Sequence, residues 1–342
     1  MAVNSKRYII LDLAKGILVI LMILYHCASV ASFSPKYFNY IDIITNKLWF
    51  ISRAFLFLTG LICGLHYWPK LYEESFNIKK RIATRGLKLL SIFISCNIIL
   101  FFFMKIIYIN EISNYKENIH FDIYHLIFMP GDLYSFSIIY FLGILLLTIS
   151  LVINYNKILY VALLLISTFE PNKNILLAIS YGITGLIIGK LLIKYSLNDL
   201  RKYSFWDHGI IILVLIFLLI IYIVHYNFFK INYIFFDILI NLINILLLLF
   251  IPCYLLMFIN NKIIINNIAI IGKYTLISYL LQIIIIRIIY LILKDKLYFY
   301  FYYILNILLT FIILYIFIYE LDKIRVKYPN GYLNKIYNII FN

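Results

Sequence analysis

Apolar runs long enough to cross a membrane recur along this chain, each closed by a short polar break. A helix rising about 1.5 Å per residue needs roughly 20 apolar residues to cross about 30 Å of hydrocarbon. On that measure the pattern predicts roughly ten transmembrane helices. They lie near residues 9–30, 48–68, 88–109, 135–153, 157–170, 174–193, 210–226, 235–259, 268–293 and 300–319. The fifth is short enough to tilt or re-enter. The expected fold class is an all-α integral membrane protein, one polytopic domain over residues 1–342, with no repeat of fixed period. The longest polar stretch, Asn110 to Asp132, holds His120 and His125 and reads as an external linker or as cover for a site.

Composition agrees: 65% of residues are hydrophobic and 13% charged, where soluble domains carry about a quarter charged. The joint abundance of Ile, Lys, Asn, Tyr and Phe reads as an AT-rich genome, not an aromatic function. The formal net charge of +15 reads as topology and excludes a nucleic-acid partner. Lys6, Arg7, Lys70, Lys79, Lys80, Arg81, Arg85, Lys88, Lys194, Arg201, Lys202, Lys323, Arg325 and Lys327 fall on one side of the predicted spans. The opposing connections carry fewer, among them Lys36, Lys47 and Lys173, so the positive-inside rule makes both termini cytoplasmic. The start imitates a secretory signal peptide, but its apolar run is long enough to anchor and reads as the first helix. Cys27, Cys63, Cys96 and Cys253 form no C-x-x-C pair. Neither a disulfide framework nor a metal site is indicated.

The first helix breaks the apolar rule. Leu11 to Cys27 reads LDLAKGILVILMILYHC and carries Asp12, Lys15 and His26. Ionisable groups at membrane depth are costly and mark functional sites. At about 100° per residue, Asp12 and Lys15 lie about 60° apart and His26 falls between them, giving one polar stripe. Asp12 and His26 are separated by roughly 21 Å along the axis. The stripe therefore joins the cytoplasmic boundary to the outer half of the bilayer. Asp12 and Lys15 read either as a simple i,i+3 ion pair or as part of a functional stripe. Imidazole suits proton acceptance near neutral pH.

With Arg7, Asp12, Lys15-Gly16 and His26 in that spacing, the first helix resembles the opening signature of the acyltransferase-3 family of membrane acyltransferases. Three further stretches agree in order: RAFLFLTGLICG (Arg53 to Gly64), the basic loop NIKKRIATRGLKLL (Asn77 to Leu90) and IGKYTLISYLLQ (Ile271 to Gln282). There are departures. Gln282 stands where many members have a second histidine, and Arg53 occupies a usually apolar position. Arg81 and Arg85 are one residue further apart than the common Arg-x-x-Arg, and no hydrolase-like domain is appended. Heparan-glucosaminide acetyltransferase-like proteins share a similar first helix and are the close rival for the branch.

The resemblance implies transfer of an acyl group, most often acetyl from acetyl-CoA, onto hydroxyls of surface or lipid-linked glycans. The partners would be membrane lipid and a glycan or lipid-linked saccharide, in the plasma membrane of a bacterium. Donor-binding candidates are Arg7, Asp12, Lys15, Arg81 and Arg85, since arginine suits the donor's phosphates; the basic run reads equally as a topology determinant. His26 is the candidate general base, a role contributing about 10²–10⁴-fold, with an acyl-histidine relay as the other chemistry. Asp12 is expected to neutralise Lys15 or Arg7. Arg53, Asp237 and Arg287 fall in the outer half; Arg53 is the candidate for the acceptor or an oxyanion, and Arg287 reads as a snorkelling residue. His66 reads as an interfacial anchor, and His208 and His225 as loop or interface residues. The alternative function is a transporter or flippase of glycan lipids using the stripe as its path.

Overall fold

In hydrocarbon every backbone N–H and C=O must be satisfied within the protein, which favours uninterrupted helices. The computed structural model describes residues 9–31, 50–108, 137–153, 174–193, 262–293, 299–332, 334, 335 and 337, and these are helical with short turns. The helices are α1 (Ile9–Ala31), α2 (Phe50–His66), α3 (Leu71–Tyr108), α4 (Ser137–Val152), α5 (Asn174–Leu192), α6 (Lys262–Lys273), α7 (Thr275–Leu293) and α8 (Phe299–Lys327). A single 3₁₀ turn, Trp68–Lys70, links α2 to α3. Pro69 fits there because the first turn of a helix has no use for its missing N–H. Among the described residues, five helices are long and apolar enough to cross a membrane, and three apolar helices are shorter.

Glycines set how closely these helices approach. Between lipid-facing helices, packing and backbone proximity replace the hydrophobic effect as the driving force. α2 and α5 meet through Gly60, Gly64, Gly185 and Gly189. A Cβ at Gly60 would strike the Gly182 carbonyl, and one at Gly185 the Phe57 carbonyl. α3 and α4 meet likewise at Gly86 and Gly143. On the other flank Gly16 of α1 lies against the Ile268 carbonyl, and Gly272 of α6 against the Asp12 carbonyl. α7 and α8 complete the packing around α1, where the Tyr303 hydroxyl donates to the Leu24 carbonyl at 3.3 Å. Outer positions such as Ile284, Ile288, Leu291, Ile304, Leu308 and Ile312 stay exposed, as a lipid-facing surface requires.

Three expectations are corrected. The segment read as a basic loop, Asn77 to Leu90, is helical and continuous with the third span in α3, which bends only at Glu74 (φ −139°, ψ 52°). Lys80 and Arg81 are exposed and Lys79, Arg85 and Lys88 half-buried around a buried edge of Ile78 and Ile82, a pattern a helix can hold as easily as a loop. The span expected at 268–293 is two helices broken at Tyr274. Tyr274 is tied to α8, its hydroxyl donating to Asp322 at 2.7 Å while Lys273 pairs with the same carboxylate at 2.5 Å. The span expected to end at 319 continues to Lys327. The spans expected at 157–170, 210–226 and 235–259, with Asp237, His120, His125, His208 and His225, lie outside the described residues.

Candidate active site

Asp12 and Lys15 lie one helical turn apart on α1 and form an ion pair at 2.7 Å. The close approach of Gly272 to the Asp12 carbonyl presses α6 onto this turn. His66, at the end of α2, is within electrostatic reach of both charges. Around them the ends of α2, α3 and α5 gather cations on aromatic rings, an arrangement favourable where water is partly excluded. Arg85 hydrogen-bonds the Tyr67 hydroxyl, and Lys190 Nζ sits 3.3 Å from the centre of the Trp68 ring. Arg81 is exposed beside this group. These residues define one basic end of the bundle.

Lys15 also lines a cavity of about 180 Å³. Its walls are Phe55, Leu58, Thr59 and Ile62 of α2, Leu89 of α3, Ile138, Ile139 and Leu142 of α4, and Thr275, Leu276 and Tyr279 of α7. The lining is mostly apolar, and Lys15, Thr59, Thr275 and Tyr279 bring its few polar groups.

Tyr279 is buried, and its ring centroid lies 6.1 Å from that of His26. The imidazole also meets Tyr25 edge-on at 5.3 Å. His26 as a residue is half-buried, yet its Nε2 is shut away from solvent and bonds to none of the described residues. Arg287, half-buried on α7, lies within electrostatic reach of both His26 and Tyr279. Gln282, one turn beyond Tyr279, is fully buried with neither amide atom bonded to a described residue. Buried polar groups are ordinarily paired, so those without a protein partner are natural places for a ligand.

Of the expected donor and base residues, Lys15 lines the cavity with Asp12 paired to it, and His26 packs near Tyr279, which also lines it. Arg53 takes another position. Its guanidinium packs over the buried Tyr181 ring of α5 at 5.6 Å, and it is not among the cavity-lining residues. Arg7 lies outside the described residues. Tyr279 was the residue that sequence reasoning passed over, although it sits in the quoted stretch IGKYTLISYLLQ. An apolar helix rich in Tyr gives no local cue to which ring meets a histidine.

The catalytic-domain profile of heparan-alpha-glucosaminide N-acetyltransferase matches residues 7–184, just over half of the 342-residue chain. The chain belongs to that family. No curated protein and no solved structure matches it. The match selects the branch that the first helix left as the rival to the acyltransferase-3 family. It makes this chain a multi-pass membrane acetyltransferase of the heparan-glucosaminide type. The matched segment runs from α1 into α5 and includes Asp12, Lys15, His26, Arg81 and Arg85. Tyr279, Gln282 and Arg287 lie beyond it and join the site only through tertiary packing.

Proposed function

We propose that the protein carries an acetyl group from acetyl-CoA, bound at the basic end, to an amino or hydroxyl group of a glycan or lipid-linked saccharide at the far end. The observation that carries this reading is a cavity lined by both Lys15 and Tyr279, with His26 packed near the Tyr279 ring. The donor's phosphates would meet Lys15, Arg81 and Arg85, where arginine's planar fork suits phosphate oxygens. The thin, largely apolar pantetheine arm would occupy the cavity and carry the thioester past Tyr279. There His26 Nε2 takes the proton of the acceptor as it attacks the thioester carbonyl. The family's printed name, an N-acetyltransferase of a glucosaminide, supports a sugar amine. The first-helix resemblance to O-acyltransferases supports a hydroxyl. The protein would work in the plasma membrane of a bacterium, with both termini cytoplasmic.

The test incubates membranes holding wild-type or His26→Ala protein with labelled acetyl-CoA and host surface glycans. Wild type should label the glycan, and His26→Ala should lose about 10²–10⁴-fold of that rate. Label released by mild alkali marks an ester, and resistant label marks an amide. Equal labelling by both proteins would remove His26 as base. Movement of intact glycan across sealed vesicles without acetylation would favour a transporter.

A further inference from the structure

Gln282 has no structural use for its amide among the described residues. It is 0% exposed, and both Nε2 and Oε1 are buried without a partner there. Its buried neighbours on α7 are Ser278, Tyr279, Ile283, Ile286 and Ile289, and none of them is a partner for the amide. Placing an unbonded amide in such a setting opposes folding. The polar stripe of α8 satisfies itself: the Asn306 amide donates to the Tyr302 hydroxyl at 2.6 Å, and the Thr310 hydroxyl donates to the Asn306 side-chain Oδ1 at 3.2 Å.

Gln282 lies about one helical turn along α7 from the ring that packs near the imidazole. Tyr279, three residues before it, has its ring centroid 6.1 Å from that of His26. Arg287, five residues after it, is in electrostatic reach of the same ring. Tyr279 and Gln282 share the buried face, about 60° apart, with Gln282 about 4.5 Å further from the basic end. A thioester at Tyr279 would be about one helical turn from the amide, with the imidazole packed near the same ring.

We propose that Gln282 is a catalytic residue whose Nε2–H donates to the thioester carbonyl oxygen and holds the oxyanion of the tetrahedral intermediate. This rests on the acyl-transfer reading above. The acceptor's lone pair bonds to the carbonyl carbon, and the carbonyl π pair moves onto the oxygen held by Gln282. His26 Nε2 takes the acceptor's proton. Collapse re-forms the carbonyl and breaks the carbon–sulfur bond, and the departing thiolate receives that proton from His26.

Gln282→Met keeps the volume and removes both hydrogen-bonding groups; Gln282→His restores a donor. Full-length proteins in lipid nanodiscs are assayed with labelled acetyl-CoA and host surface glycans, with thermal unfolding measured in parallel. Gln282→Met should lower kcat by about 10²–10³, the usual loss for one oxyanion donor, while KM for acetyl-CoA stays within about twofold and Tm is equal or higher. Gln282→His should recover part of the loss. A Gln282→Met enzyme with near wild-type kcat, beside an inactive His26→Ala enzyme, overturns this role and spares the acyl-transfer reading. A Gln282→Met protein with lowered Tm, whose lost activity Gln282→His does not recover, marks a structural residue and also overturns it. Wild type that transfers no label overturns both.

Discussion

The site's polar side chains are few, and each sits in a different setting. Lys15 has its carboxylate partner on its own helix at i,i+3, so the pair forms without help from distant elements. His26 depends on a residue more than 250 positions away, because Tyr279 supplies the ring it packs against. Between them, Thr59 is among the few polar residues of the cavity wall, its hydroxyl donating to the Phe55 carbonyl at 2.9 Å. Thr59→Trp places an indole in a space of about 180 Å³. It should raise KM for acetyl-CoA at least tenfold, about 1.4 kcal/mol, through loss of the arm's berth. Initial rates against donor concentration check this; an unchanged KM would mean that the donor takes another route.

Among the elements, the α2–α5 crossing decides the shape of the cavity. α2 supplies four of its walls, and the glycine contacts with α5 hold α2 in place. Gly185→Leu drives a branched side chain into the Phe57 carbonyl. It should destabilise by about 3 kcal/mol or more, the upper end for overpacking, read as a lower Tm in detergent together with lost transferase activity. The α6–α7 break acts on the other flank. Asp322 of α8 collects Lys273 and Tyr274, while Arg325 stacks on Tyr337 at 3.5 Å and hydrogen-bonds Asn334. These ties fix the turn that presses Gly272 onto Asp12. The entrance to the cavity is thereby anchored from the end of the last described helix.

At the scale of the whole molecule, one end is basic and the path to His26 begins there. The donor's charged phosphates keep it from crossing the bilayer unaided, so a sealed membrane should use it from one face only. Vesicles prepared in both orientations and supplied with external acetyl-CoA test this. Those with the Arg81 and Lys190 end outward should label glycan at least about tenfold faster, a difference of about 1.4 kcal/mol. Equal rates from intact vesicles of either orientation would place the donor site elsewhere. The same polarity accounts for the positive charges being gathered on α3, α5 and the end of α8 while the walls of the cavity stay apolar.

The sequence alone determined the helical membrane class, the apolar helices near α1, α2, α4 and α5, and the pairing of Asp12 with Lys15. Each of these is a local or periodic property, written in neighbouring residues by hydrocarbon thickness and helical pitch. The break at Tyr274, the helical course of the basic segment, the packing of Arg53 on Tyr181 and the meeting of His26 with Tyr279 were decided only by tertiary structure. Each depends on which helix faces which and at what depth. In a bundle where almost every position is apolar, hydrophobic periodicity carries little of that information. Backbone approach at Gly16, Gly60, Gly185 and Gly272 sets it instead, since steric room, not polarity, selects the partner.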